Sequence, residues 1–253
     1  MNLLVLGGTT EASAIARALA GDTRFNATLS LAGRTRHPAP QPLPCRIGGF
    51  GGAEGLARYL TEHRIEAVID ATHPFAARIT RNAEDAARLT ETRLLAVRRP
   101  PWRRGPSDIW IDVPDMAAAA EALGPSPRRV LLTIGQKDLA PFAAAPWHRY
   151  VLRSIDPPAP DALPPGAEVI AARGPFTEAA ERDMMRARRI EILVTKNSGG
   201  SATEAKLAAA RALELPVVMV ARPPPPQAET VATAAEALAW IEHVHETQCR
   251  RGA

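Results

Sequence analysis

The first stretch of the chain constrains its fold more than any other. Asn2 to Leu6 is a buried-strand pattern that stops at Gly7-Gly8 and passes through Thr9-Thr10-Glu11 into a helical pattern from Ala12 to Ala20. A strand that ends on two glycines and turns directly into a helix opens a βαβ unit, and the glycines let a ligand approach the backbone while the helix N-terminus presents free N–H groups. That geometry suits a phosphate. Against the dinucleotide fingerprint G-x-G-x-x-G/A, Gly7 holds the first place, Thr9 replaces the second glycine and Ala12 holds the third. A tight turn with no ligand would use the same residues.

The next strand, Thr28 to Ala32, adds to the signal. It runs into Gly33-Arg34-Thr35-Arg36, about 20 residues past the glycine turn, where an NAD site carries an acid for the ribose hydroxyls. Arginine there repels nothing on a 2′-phosphate and can grip it with two parallel hydrogen bonds, which points to NADPH. Gly7, Gly8, Thr9, Thr10 and Glu11 are therefore expected to hold the diphosphate, and Arg34, Thr35 and Arg36 the 2′-phosphate.

The proline-rich run from His37 to Pro44 reads as a stiff loop, Cys45 to Ile47 as a short strand, and Gly48 to Gly52 as a second glycine-rich turn before a helix. Gly49 in that turn either closes over the cofactor or belongs to a simple connection. Ile65 to Ala71 is another buried strand, followed by Thr72-His73-Pro74-Phe75-Ala76 with Pro74 in the expected first helical turn. Ligands of open α/β sheets bind beyond the carboxyl ends of the strands, so Thr72 is expected beside the cofactor and Asp70 and His73 at the reacting centre. A satisfied turn network is the other reading of Asp70 and His73.

Arg98 to Pro106 breaks the rhythm with proline, glycine and charge, and divides the chain into an expected NADPH-binding domain, 1–104, and a second α/β domain, 105–253. Strand and helix patterns alternate again beyond it. The fold class expected is α/β, two doubly wound Rossmann-like domains with mainly parallel sheets and a cleft between them. Only three lysines occur, Lys137, Lys196 and Lys206, in a chain of 31 basic residues. Lys137, Arg173 and Lys196 stand at strand ends before helix starts. With Gly174, Ser198, Gly199 and Gly200 they form the expected binding set for an anionic substrate. Lys137 joins His73 and Asp70 as a candidate proton donor.

The sequence pI of about 9.6 favours an anionic partner. Aromatic residues make up 4% and no nucleic-acid signature appears, so a small polyanion fits better than RNA or DNA. Cys45 and Cys249 form no metal-ligand spacing, no metal site is expected, and the reading is a reducing cytoplasm without membrane attachment. Tyr59 and Tyr150 both lack a lysine at Y-x-x-x-K spacing, which argues against a short-chain dehydrogenase. A non-catalytic NADP(H)-binding module would account for the first half but not for the basic turns of the second.

Gly7-Gly8-Thr9-Thr10-Glu11, Asp70-Ala71-Thr72-His73-Pro74-Phe75-Ala76, Arg173-Gly174-Pro175-Phe176 and Thr195-Lys196-Asn197-Ser198-Gly199 together resemble the precorrin-6A reductase family of cobalamin biosynthesis. The likeness spans nearly the whole chain. It implies NADPH-dependent reduction of one double bond of a polycarboxylate tetrapyrrole, precorrin-6A to precorrin-6B, and contact with neighbouring pathway enzymes. A related reductase acts on the cobalt-containing intermediate, and the same motifs would serve it.

Overall fold

The structure, a computed structural model, describes residues 1–33 and 40–251. Arg34, Thr35 and Arg36 lie outside the described residues. The strands in chain order are β1 (Asn2–Leu6), β2 (Asn26–Leu31), β3 (Cys45–Ile47), β4 (Ala67–Asp70), β5 (Arg93–Val97), β6 (Trp110–Val113), β7 (Arg129–Thr133), β8 (Arg149–Ser154), β9 (Glu168–Ala171), β10 (Ile192–Lys196), β11 (Val217–Val220) and β12 (Glu229–Val231). The helices are α1 (Thr10–Leu19), α2 (Ala53–Glu62), α3 (Ala77–Thr90), α4 (Met116–Glu121), α5 (Ala140–Ala143), α6 (Glu178–Ala187), α7 (Ala205–Ala212) and α8 (Ala234–Arg251). No helix of the described residues is long and apolar enough to cross a membrane.

The chain forms two compact units, Met1–Pro100 with Pro223–Ala253, and Pro101–Arg222. This differs from the expected division into 1–104 and 105–253. The C-terminal segment returns to the first unit because β12 pairs in parallel with β5, Glu229 opposite Leu95 and Val231 opposite Val97. Helix α8 then packs Ala237 and Ile241 into the same cluster as Ile15 and Leu19 of α1.

In the first unit the sheet order is β3-β2-β1-β4-β5-β12 with every pair parallel, the 3-2-1-4-5-6 order of a dinucleotide-binding sheet. Strand β1 is continuous in apolar residues because it is covered on both faces. Leu3 and Val5 face α1 and α8, while Leu4 and Leu6 face α2 and α3 through Leu56, Leu60, Ala83 and Ala86. Each such leucine contributes about 1.5–3 kcal/mol by leaving water. Helix α3 begins at Ala77, so Pro74 lies in the turn before it rather than in its first turn.

The second sheet runs β6-β11-β10-β7-β8-β9, again all parallel. Counted from β7 it repeats the 3-2-1-4-5 order, and its sixth place is taken by β6, the strand that precedes β7. Leu131, Val151, Leu193 and Met219 pack there against Met185 of α6 and Leu207 of α7.

One local device recurs in both units. Helices α2, α3, α6 and α7 are each followed by a left-handed residue, Arg64, Glu91, Arg189 and Glu214, with φ between 48° and 54°. The next N–H closes onto the helix in each case: Ile65 to Leu60, Thr92 to Ala87, Ile190 to Met185 and Leu215 to Ala210. This six-to-one bond satisfies a carbonyl the helix end leaves open and turns the chain into the following strand.

Candidate active site

The chain reverses its strand order between β1 and β4 in the first sheet and between β7 and β10 in the second. These reversals open a crevice at the carboxyl ends of the strands. The register sets Leu6 opposite both Ser30 and Asp70, so the glycine turn and the Asp70 turn emerge side by side. Thr9 joins them. Its hydroxyl caps α1 by accepting from the Ala12 N–H at 3.2 Å and donates to the Ala71 carbonyl at 2.7 Å.

The two glycines do different work. A Cβ on Gly7 would stand 2.7 Å from Cδ1 of Leu29, so Gly7 is small in order to pack against β2. At Gly8 φ is +118° and a Cβ would meet nothing within 4 Å, so the space over this turn is clear and its backbone conformation favours glycine. Clear space, the exposed Thr10 and the first amides of α1 fit the diphosphate of a dinucleotide. Glu11 looks elsewhere, since its carboxylate is 2.7 Å from Nη1 of Arg99. Burial works to raise the Glu11 carboxyl, but its own N–H, Arg99 and the Thr10 hydroxyl hold it below the ordinary carboxylate value.

Asp70 is 1% exposed and both its oxygens accept. Oδ1 takes the Thr72 N–H at 3.1 Å and the Thr72 hydroxyl at 2.6 Å, and Oδ2 takes the Thr80 hydroxyl at 2.8 Å and Nη2 of Arg98 at 2.5 Å. Arg98 also donates to the Asp70 carbonyl at 2.9 Å. Asp70 and Thr72 thus build the turn. His73 is half-buried, and its Nδ1 accepts the Phe75 N–H at 3.2 Å, which assigns the proton of the neutral ring to Nε2.

Gly49 lies beyond β3, away from the switch point but tied to β2. Arg46 donates to the carbonyls of Gly48 and Gly49 at 3.0 and 3.1 Å and to Ser30 Oγ at 2.9 Å, with its guanidinium 3.8 Å from the Phe50 ring centroid. The second glycine-rich turn is therefore a braced one.

In the second unit the turns after β7 and β10 lie side by side. Thr195 pairs with Thr133 in register, so Lys196 emerges beside the 136–138 turn, and its ammonium lies 2.6 Å from Oδ2 of Asp138. Lys137, in that turn, is exposed. Arg173 and Gly174 follow the far edge strand β9, yet their loop folds back, since a Cβ on Gly174 would lie 3.3 Å from the Ala202 carbonyl. Phe176 stacks under the buried Arg153 guanidinium, 3.9 Å from the ring centroid, and Arg153 is ion-paired with the buried Glu181. Gly199 and Gly200 have φ of +63° and +83°.

Sequence reasoning passed over Arg98, Thr80, Arg99, Asp138, Arg153 and Glu181. Only Arg98 and Arg99 carried a signal, the basic character of the segment before the domain boundary.

Two parallel sheets, the first in the 3-2-1-4-5-6 order and the second in the same order over five of its strands, define a protein of the Rossmann-like α/β class. The model of the family described as precorrin-6x reductase CbiJ/CobK matches residues 2–242. A precorrin-6A reductase of Sinorhizobium sp is 51% identical over 95% of this chain and 92% of its own length. A solved structure titled CobK precorrin-6A reductase superposes with a TM-score of 0.90 at 49% identity, covering 96% of both chains. A cobalt-precorrin-6A reductase of Salmonella typhimurium is 30% identical over 88% of each chain. The chain belongs to the precorrin-6x reductase CbiJ/CobK family, and it is a reductase that draws on a reduced nicotinamide cofactor.

Proposed function

We propose that the chain reduces one carbon–carbon double bond of precorrin-6A, giving precorrin-6B in cobalamin biosynthesis, with NADPH as the reductant. The observation that carries the reading is the open turn from Gly7 to Glu11 at the switch point of the first sheet, a place built for a diphosphate. The higher identity to the relative named precorrin-6A reductase than to the one named cobalt-precorrin-6A reductase favours precorrin-6A over its cobalt counterpart.

The cofactor, when bound, supplies the hydride. The chain's own part is to hold both partners and to deliver a proton to the neighbouring carbon. His73 is the residue we assign to that proton, because both Asp70 oxygens are occupied: the ring takes a proton from water to become the imidazolium, Nδ1 releasing the Phe75 amide as it is protonated, and Nε2 then delivers its proton to the substrate carbon and leaves the ring neutral. Lys196, Ser198, Gly199, Gly200, Arg173 and Lys137 hold the carboxylates of the macrocycle.

Nicotinamide absorbance should fall when NADPH and enzyme meet precorrin-6A, and far less with cobalt-precorrin-6A. Equal turnover of both, or of neither, would overturn the substrate assignment. Arg34→Ala should weaken NADPH by about 10- to 150-fold, the loss of a charge-assisted bond of about 1.5–3 kcal/mol, and leave NADH nearly unchanged. Equal losses for both cofactors would show that this arginine does not read the 2′-phosphate.

A further inference from the structure

The turn after β10 is gripped on its carbonyl side by residues that the substrate reading leaves unused. The side chain of Asn197 pairs with the backbone of Trp102 as another peptide would, Oδ1 accepting the Trp102 N–H at 2.8 Å and Nδ2 donating to its carbonyl at 3.1 Å. The Trp102 indole N–H donates to the Gly200 carbonyl at 3.2 Å. Arg222 donates from Nε to the Asn197 carbonyl at 2.8 Å and from Nη2 to the Ser198 carbonyl at 2.9 Å. Trp102 is itself fixed, 8% exposed with the Lys206 ammonium 5.0 Å from its ring centroid.

Carbonyls 197, 198 and 200 are thus all claimed by donors from the body of the second unit. In a trans peptide the N–H of the next residue points opposite to the carbonyl. Fixing the Gly200 carbonyl inward therefore aims the N–H of the exposed Ser201 outward, on the turn that begins with Lys196, while the Ser198 carbonyl held by Arg222 fixes the buried Gly199 peptide behind it. The Ser198 N–H is spent within the turn, on the Lys196 carbonyl at 2.7 Å. An outward amide on the same turn as an ammonium suits a carboxylate.

We propose that Asn197, Trp102 and Arg222 are positioning residues that fix this turn and so preset the Ser201 amide for a carboxylate of the substrate. This rests on the reading that the turn holds the polycarboxylate. A preset site binds more tightly because less order has to be imposed on binding. Losing the preset should therefore act on substrate affinity, not on the cofactor.

The test is steady-state kinetics with precorrin-6A on Asn197→Ala, Trp102→Phe, Arg222→Ala and Arg222→Lys, with NADPH titrations and melting curves alongside. Trp102→Phe keeps an aromatic side chain and deletes the indole donor, so it remains informative if Asn197→Ala does not fold. KM should rise about 10-fold for Asn197→Ala and about 3- to 10-fold for Trp102→Phe, with kcat and NADPH affinity near wild type. Arg222→Lys should recover part of what Arg222→Ala loses. Lys196→Ala serves as the control for the underlying reading. If it raises KM while the folded positioning variants keep the wild-type value, the positioning inference fails and the substrate reading stands. If Lys196→Ala also leaves KM unchanged, the substrate reading falls and takes the inference with it.

Discussion

Lys196 and Asp138 form an ion pair that links the turns after two adjacent strands, the ammonium 2.6 Å from Oδ2 with the side chains 17% and 26% exposed. Solvent reaches both partners, so the pair contributes only about 0.2–1 kcal/mol to stability. Its larger effect is to aim the ammonium. Lys196→Met should raise the KM for precorrin-6A by about 10-fold or more, as loss of a charge-assisted bond of about 1.5–3 kcal/mol requires, with a small shift in melting temperature. Asp138→Asn should produce a smaller rise in KM, because the lysine stays charged but is no longer held. A large stability loss with normal substrate saturation would reduce the pair to a structural tie.

Asp70 and Arg98 behave differently because Asp70 is buried and Arg98 largely so, their side chains 1% and 10% exposed. Asp70→Asn leaves the guanidinium without its counter-charge, and removing one partner of a buried pair costs about 3–5 kcal/mol. Urea denaturation should show that loss in the first unit. A variant of wild-type stability that had lost only kcat would return Asp70 to the candidate proton donors in place of His73.

How much of this was legible in the sequence depends on distance along the chain. Strand β1 and its glycine turn are written in consecutive residues, and so are β4 with Asp70 and β10 with Lys196, because burial on both faces forces unbroken apolar runs. Strand β12 is three residues long and follows a proline-rich loop, so no local period marks it. Its place beside β5 depends on a partner more than a hundred residues away, and the return of the C-terminal segment to the first unit depends on the same pairing. The same holds for side-chain pairs. Asp70 reaches Arg98 across 28 positions and Lys196 reaches Asp138 across 58, separations at which spacing rules for helices and strands carry no information. Gly7 and Gly8 look alike in sequence, and only the packed position of Leu29 shows that the first serves the core and the second the open turn.

The left-handed residues after α3 and α7 offer a stability test. Glu91 and Glu214 sit at φ 53° and 54°, are exposed, and occupy a position where glycine carries no Cβ penalty. The left-handed conformation costs a side-chain-bearing residue about 1–2 kcal/mol, partly offset by the greater freedom of glycine in the unfolded chain. Glu91→Gly and Glu214→Gly should each stabilise by about 0.5–1 kcal/mol, and Glu91→Val should destabilise by a similar amount or more. Thermal melts of the three variants check the signs. Destabilisation by both glycine variants would mean that the glutamates hold the helix ends by contacts other than the backbone turn.

His148 makes stability depend on pH. It is 2% exposed, and its Nδ1 accepts the Arg128 N–H at 3.2 Å. Burial pushes its pKa below the ordinary 6.5, the charge of Arg128 acts the same way, and the Gly124 carbonyl opposes them only in part. The folded state therefore keeps this imidazole neutral where the unfolded chain would protonate it. Below pH 6.5 the unfolded state binds the extra proton, so stability is full above that value and falls as the pH drops. One group can give a slope of at most about 1.4 kcal/mol per pH unit, flattening once the folded state also protonates. The window to measure is about pH 5 to 6.5, above the range in which carboxylates titrate. His148→Gln, which retains an acceptor for the Arg128 amide, should be less sensitive to pH across that window when unfolding free energy is followed by denaturant titration. An unchanged slope in the variant would assign the acid sensitivity to another group.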